Sequence, residues 1–251
     1  FLFYSIPFNS ASFNIRAPED LYFVVVKLGA SLAPSLASGY WVVQRYFEHY
    51  QADTMPISIN TSRLTGRIKV DGQLPATNRA TGTLYFQNRA LEGQWSWFQA
   101  GVTPSEDGSY EVRLPKGLYT VYFELDPGAY PTYASGRWLV ADLVDLSEDA
   151  QFDINYNTVE LSGPLRVGGQ PVADVGPGYE VGMYFQYRRA RLMWQFPGGT
   201  DEYTVRIPAE DYEMSFFINE NAIDGVAWGE APMGFTMNLF PGSTRPFLNF
   251  I

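Results

Sequence analysis

The sequence has no cysteine and a single histidine, His49. The first absence excludes disulfides, thiolate zinc sites and a cysteine nucleophile. The second excludes any metal motif that needs two histidines. No apolar run reaches the length of a membrane-crossing helix, and Leu21–Val26 is too short and too β-branched to be one. Charge is sparse as well. Only 18% of the 251 residues are Asp, Glu, Lys or Arg, and they balance at −10. An acidic chain without a basic stripe is a poor partner for nucleic acid or anionic lipid. Its acidity reads most simply as a solubility device. There is no Gly-x-Ser-x-Gly elbow, phosphate loop or Asp-x-Asp-x-Asp-Gly ladder. No catalytic residue, metal ligand or organic cofactor is therefore expected. The chain begins at Phe1 rather than Met, which reads as a processed chain or a piece of a longer one.

What is present favours strands. Aromatic residues make up 16%, and 23 Gly and 17 Pro punctuate them. Aromatic and β-branched side chains suit a pleated surface, and Gly and Pro suit turns. Segments such as Tyr110-Glu111-Val112-Arg113-Leu114 alternate apolar and polar residues, so one face is buried and the other wet. No segment has a capped helical period, and an all-β chain is expected.

Internal repetition sets the architecture. Phe13-Asn14-Ile15-Arg16-Ala17-Pro18 with Tyr22 matches Tyr110-Glu111-Val112-Arg113-Leu114-Pro115 with Tyr119. Both match Tyr203-Thr204-Val205-Arg206-Ile207-Pro208 with Tyr212. Phe13 and Tyr110 are 97 positions apart, and Tyr110 and Tyr203 are 93 apart. Ser38-Gly39-Tyr40-Trp41 matches Ser135-Gly136-Arg137-Trp138, and Leu64-Thr65-Gly66 matches Leu161-Ser162-Gly163, both at 97. The expected fold is a tandem array of Ig-like or prealbumin-like β-sandwich repeats of about 95 residues, six or seven strands in each. The boundaries expected are an incomplete first sandwich at 1–62, a second at 63–157, a third at 158–242 and a terminal strand at 243–251. Linkers this short favour a stiff array.

Leu64-Thr65-Gly66-Arg67-Ile68-x-Val70-Asp71-Gly72, the Asp107-Gly108-Ser109-Tyr110 turn and Pro115-x-Gly117-x-Tyr119-x-Val121 together resemble carboxypeptidase-regulatory-like and prealbumin-like sandwich modules. The resemblance extends to the long repeat-bearing surface proteins of myxobacterial type. The third segment departs from it, with Ala209-Glu210-Asp211 in place of the Pro-x-Gly turn and Gly168-Gly169 in place of Asp-Gly. The resemblance implies a stalk, spacer or assembly unit at an extracellular or bacterial cell-surface location. It brings no catalytic residue.

The remaining chemistry has plain readings. His49 reads as a strand-end residue. Glu106-Asp107, Glu148-Asp149 and Glu210-Asp211 lie in turns, where Asp bonds its own backbone; calcium ligation is the sharper alternative. Arg188-Arg189-Ala190-Arg191 reads as a hairpin turn, or as a contact for an acidic neighbour. Arg16, Arg113 and Arg206 read as outward residues packing their stems on aromatics, with a recurring inter-domain salt bridge as the alternative. Trp95, Trp97 and Phe98 read as core, with carbohydrate stacking as the alternative. Asn60-Thr61-Ser62 has the form of an N-glycosylation acceptor.

The ends carry one further expectation. Phe1–Ile6 matches Leu84–Arg89, so the first sandwich lacks its opening strand. Phe235–Leu239 matches Phe152–Tyr156, which leaves Arg245–Ile251 as a strand to spare. Donation of that strand to a neighbouring subunit would give a head-to-tail homopolymer. Phe1, Phe3, Phe247, Leu248, Phe250 and Ile251 would form the subunit interface. The functional expectation is a non-enzymatic structural protein of an extracellular fibre or stalk, with a carbohydrate- or protein-binding adhesion module as the alternative.

Overall fold

The computed structural model describes residues 16, 18–29, 36–49, 56–75, 81–90, 97–103, 105–167, 170–171, 181–188, 190–195, 202–218, 229–238 and 248–250. All regular structure among them is β-strand. The first segment holds β1 (Asp20–Leu28) and β2 (Ser38–His49). The second holds β3 (Thr61–Val70), β4 (Gly82–Asn88), β5 (Trp97–Val102), β6 (Ser109–Pro115) and β7 (Leu118–Leu125). It continues with β8 (Ser135–Gly136), β9 (Trp138–Asp145), β10 (Ala150–Gln151) and β11 (Ile154–Tyr156). Beyond them lie β12 (Thr158–Val167), β13 (Gln170–Pro171), β14 (Val181–Tyr187) and β15 (Ala190–Gln195). The last are β16 (Glu202–Pro208), β17 (Asp211–Ile218), β18 (Gly229–Asn238) and β19 (Leu248–Phe250). One residue, Asn157, separates β11 from β12.

Four sheets result. One runs β1-β2-β5-β4-β7-β9 and another β18-β17-β14-β15-β8. A third runs β10-β3-β11 with β6 also on β3; the fourth runs β13-β12-β16 with β19 also on β12. Strand alternation decides which side chains enter the cores. On β6, Tyr110, Val112 and Leu114 are buried while Glu111 and Arg113 face water. They meet Leu84, Phe86, Phe98, Tyr119, Val121 and Phe123 of the facing sheet in one buried cluster. A second cluster joins Val159, Leu161, Tyr203, Val205 and Ile207 to Met183, Phe185, Tyr212 and Met214. Each is the filling of a two-sheet sandwich.

The repetition extends to register. Thr61 through Arg67 on β3 pair with Pro115 through Ser109 on β6, so that Gly66 lies opposite Tyr110. Thr158 through Pro164 on β12 pair with Pro208 through Glu202 on β16, so that Gly163 lies opposite Tyr203. The recurring Pro-x-x-x-Tyr spacing has a hydrogen-bonding reason. Tyr119 donates its hydroxyl to the Pro115 carbonyl at 2.6 Å, and Tyr22 does the same to Pro18 at 2.6 Å. This is a tyrosine corner, tying a strand start to the turn before it. In the third copy the buried Tyr212 hydroxyl has no partner among the described residues.

The tail departs from expectation. β18 pairs with β17 as β9 pairs with β7: Tyr212 faces Met237 where Tyr119 faces Val144. Phe235–Leu239 therefore does not correspond to Phe152–Tyr156. That place is taken by β19, whose Leu248, Asn249 and Phe250 lie parallel to Leu165, Arg166 and Val167. Ile154, Asn155 and Tyr156 lie on Ile68, Lys69 and Val70 in the same way. Leu248–Phe250 thus completes a sheet of its own chain, which replaces the reading of 243–251 as a spare strand for a neighbour. Phe1, Phe3, Phe247 and Ile251 lie outside the described residues.

Candidate functional site at the segment junctions

After β1 and again before β9, the chain crosses to the following segment and pairs with it. Leu36 bridges Arg113 in parallel, and the Ala37 amide donates to the Arg113 carbonyl at 2.9 Å. Tyr133 bridges Arg206 in parallel, and the Ala134 amide donates to the Arg206 carbonyl at 2.9 Å. Ser38 and Gly39 then pair with Gln99 and Phe98, while Ser135 and Gly136 pair with Met193 and Leu192. The two junctions share one main-chain pattern. Because β2 pairs with both β1 and β5, a single sheet passes from the first segment into the second. At the second junction the strand is interrupted at Arg137: β8 pairs with β15 in one sheet, and β9 pairs with β7 in the other.

Glycine is required where the chain crosses. A Cβ on Gly39 would stand 2.5 Å from the Trp97 carbonyl oxygen; one on Gly136 would stand 2.6 Å from that of Arg191. Gly136 also has φ 120°, which L side chains rarely adopt.

The second junction adds a polar latch. Asp71 sits at φ 50°, a left-handed conformation that Asp tolerates, and its amide donates to the Tyr156 carbonyl at 2.9 Å. Its carboxylate accepts the Thr158 amide at 2.7 Å and the Thr158 hydroxyl at 2.9 Å. Tyr133 donates its hydroxyl at 2.8 Å, and Arg206 approaches at 3.1 Å. Arg206 also reaches Glu160 at 3.1 Å. Burial, then the hydrogen bond to Asp71, pushes the Tyr133 hydroxyl up to about 12. The first junction has no such latch among the described residues. Leu36 stands where Tyr133 stands, and Arg113 makes only an exposed 3.6 Å pair with Glu111. The inter-domain salt bridge therefore holds for Arg206 and not for Arg113; Arg16 is exposed. Sequence reasoning missed Asp71, whose counterpart in the repeat is Gly168.

Beside this junction β4, β5 and β7 of one sheet and β8 and β15 of the other border a groove of about 600 Å³, lined by Gln87, Trp97, Tyr122, Glu124, Arg137 and Arg191 among others. The Arg137 guanidinium lies 3.9 Å from the Tyr85 ring centroid and 4.8 Å from that of Trp97. Burial and the neighbouring Glu124 raise the Tyr85 hydroxyl above its ordinary value. Arg191 covers the Tyr184 ring at 3.6 Å and pairs with Glu230 at 2.6 Å. The Ser215 hydroxyl and then Arg191 hold the Glu230 carboxyl below the usual range.

The other candidates take structural places. Asp107 caps its own turn, accepting the Ser109 amide at 3.1 Å and the Ser105 hydroxyl at 2.8 Å. The Ser109 and Ser105 hydroxyls lower its pKa. Asp149 accepts the Arg63 amide at 2.8 Å, closing the edge of β3. Among the described residues no group of His, Cys, Asp and Glu could hold a metal ion. β2 ends at His49, and Arg188 turns the β14–β15 hairpin at φ 50°. Phe98 is core, Trp97 is half-buried on the outer face, and Trp95 and Arg189 lie outside the described residues. No described helix is long and apolar enough to cross a membrane.

No family model matches the chain, and no curated protein matches it. Among solved structures, it is similar to GBS52, the minor pilin of Streptococcus agalactiae, at 16% identity and a TM-score of 0.32. That match covers 74% of this chain and 93% of the pilin. It is also similar to the Bacillus anthracis TIE protein at 15% identity and a TM-score of 0.27, covering 76% of this chain. The chain spans 34% of the TIE protein's length. A putative adhesin from Bacteroides ovatus matches at 9% identity and a TM-score of 0.29, over 80% of this chain and 95% of the adhesin.

Proposed function

We propose that this chain is a non-enzymatic structural segment of an extracellular, cell-surface stalk or fibre, built from sandwich repeats of about 95 residues. The observation that carries the reading is the duplicated junction, in which main-chain pairing at Leu36–Gly39 recurs at Tyr133–Gly136. At the first junction one sheet continues through, and at the second the adjacent strands β8 and β9 pair with successive segments, so a bend at either must break ladder hydrogen bonds as well as side-chain contacts. Domains that merely touch move relative to one another. A spacer that holds something away from a surface needs this stiffness, and a catalytic scaffold does not.

Strand donation is not part of the proposal, since β19 already lies on β12. Stiffness within one chain suffices for a stalk. The test of location is antibody labelling of the source cells. Intact cells should label as strongly as opened ones. Labelling that appears only after the cells are opened would overturn the proposal.

A further inference from the structure

Arg137 is the unexplained group of the groove. It belongs to the crossing segment, is exposed, and forms no ion pair among the described residues, in a chain whose net charge is −10. Tyr85 and Trp97 fix its plane by stacking. A guanidinium held by stacking is oriented before any ligand arrives, and with five donors it can hydrogen-bond the Tyr85 hydroxyl and a ligand at once. Arg191 lines the same groove from the next segment, with a half-exposed side chain. Glu230 holds it from outside, and Glu124 is the carboxylate that shares the lining. The half-buried Trp97 and Gln87 line the groove with them, and the buried Tyr122 ring lies 5.5 Å from that of Trp97.

We propose that this groove binds an acidic polysaccharide, with carboxylates on Arg137 and Arg191, a sugar ring against the part of Trp97 that Arg137 leaves exposed, and hydroxyls on Gln87 and Glu124. Two observations favour a saccharide over an acidic peptide. The floor is a sheet face rather than an edge: β4 is paired on both sides by β5 and β7, and β5 by β4 and β2. A peptide strand therefore finds no free backbone ladder on that floor, and the one edge strand bordering the groove, β8, is only Ser135–Gly136. A sugar needs only an aromatic surface and side-chain donors and acceptors, which the groove supplies. The volume lies within the ordinary range for ligand sites, and a junction between packed units is a common place for one. The inference goes beyond the structural role, and a stalk without this binding would leave that role intact.

The test is titration of the whole chain with de-esterified polygalacturonate at ~0.01 M and ~0.5 M salt, with dextran and polyglutamate as alternatives. Polygalacturonate should bind, more weakly at high salt. Arg137→Gln and Arg191→Gln should each lower affinity about tenfold, the loss of one charge-assisted contact. Arg67→Gln, an exposed arginine in an ion pair with Asp107, should change nothing. Arg137→Lys keeps the charge without the planar fork and should also bind more weakly. Melting of each variant separates lost binding from lost fold. The proposal is overturned if polygalacturonate does not bind, if dextran or polyglutamate binds equally well, or if Arg67→Gln weakens binding as much as Arg137→Gln.

Discussion

Arg206 reaches across 135 positions of sequence to the carboxylate of Asp71, 3.1 Å away, at the point where one sandwich hands over to the next. Neither side chain is more than about a third exposed, at 29% and 24%. The pair is therefore screened less than the exposed pair of Arg113 with Glu111. Asp71→Ala should leave Arg206 with Glu160 as its remaining carboxylate and leave the Thr158 amide and the Tyr133 hydroxyl without their acceptor. A loss of about 2–3 kcal/mol is expected in denaturant unfolding. Glu111→Ala should cost less than about 0.5 kcal/mol. Equal losses would remove the latch from the account.

Gly136→Ala should loosen the same junction through the backbone. Its Cβ would meet the Arg191 carbonyl oxygen at 2.6 Å, in a conformation that alanine resists. Amide exchange should accelerate at Ala134 and along β15 while the Gly66–Tyr110 ladder stays protected. Uniform acceleration throughout would mean that the junction is not a separable element.

The tyrosine corners give a paired prediction. Tyr119→Phe removes the buried bond to the Pro115 carbonyl and should destabilise by about 1–2 kcal/mol. Tyr212→Phe removes a buried hydroxyl that has no partner among the described residues, so stability should hold or rise slightly. Chemical denaturation of the two variants decides it, and the reverse order would contradict the assignment.

Alkaline pH tests the tyrosines together. Burial pushes Tyr203 up to about 12, and burial with the Asp71 contact does the same for Tyr133. The folded state thus keeps protons that the unfolded chain releases near 10. Stability from these groups is full below about 10 and is lost as pH rises through about 12. Absorbance of the phenolate should show one group of tyrosines titrating near 10 and a later one coinciding with unfolding. A single transition near 10 with the fold intact would contradict it.

The fold was legible because its signals are local. Alternation on β6 and β16, and the Pro-x-x-x-Tyr corner, fix strand faces and ends within a few residues. The equivalence of Gly66 with Gly163 and of Tyr110 with Tyr203 followed from that spacing. The tail was misread because the apolar alternation of Phe235–Leu239 matched Phe152–Tyr156 at an offset of 83, whereas the strands that pair alike, Ile154–Tyr156 and Leu248–Phe250, are 94 apart. The junctions were hidden for another reason. Ala37 and Ala134 act through their amides, and a main-chain contact leaves only the small residues Gly39 and Gly136 as a trace. Asp71 was visible, but as part of a turn motif. Its partners Tyr133, Thr158 and Arg206 lie too far along the chain for spacing to join them.

The central claim is that the junction between the two complete sandwiches is rigid, and the absence of cysteine makes its direct test clean. Glu106→Cys and Glu213→Cys place the only two thiols at exposed positions on either side of it. With spin labels on both, pulsed dipolar spectroscopy of the frozen chain should give one narrow distance distribution, broadened when Asp71→Ala is added. A broad distribution in the otherwise unchanged chain would contradict the account.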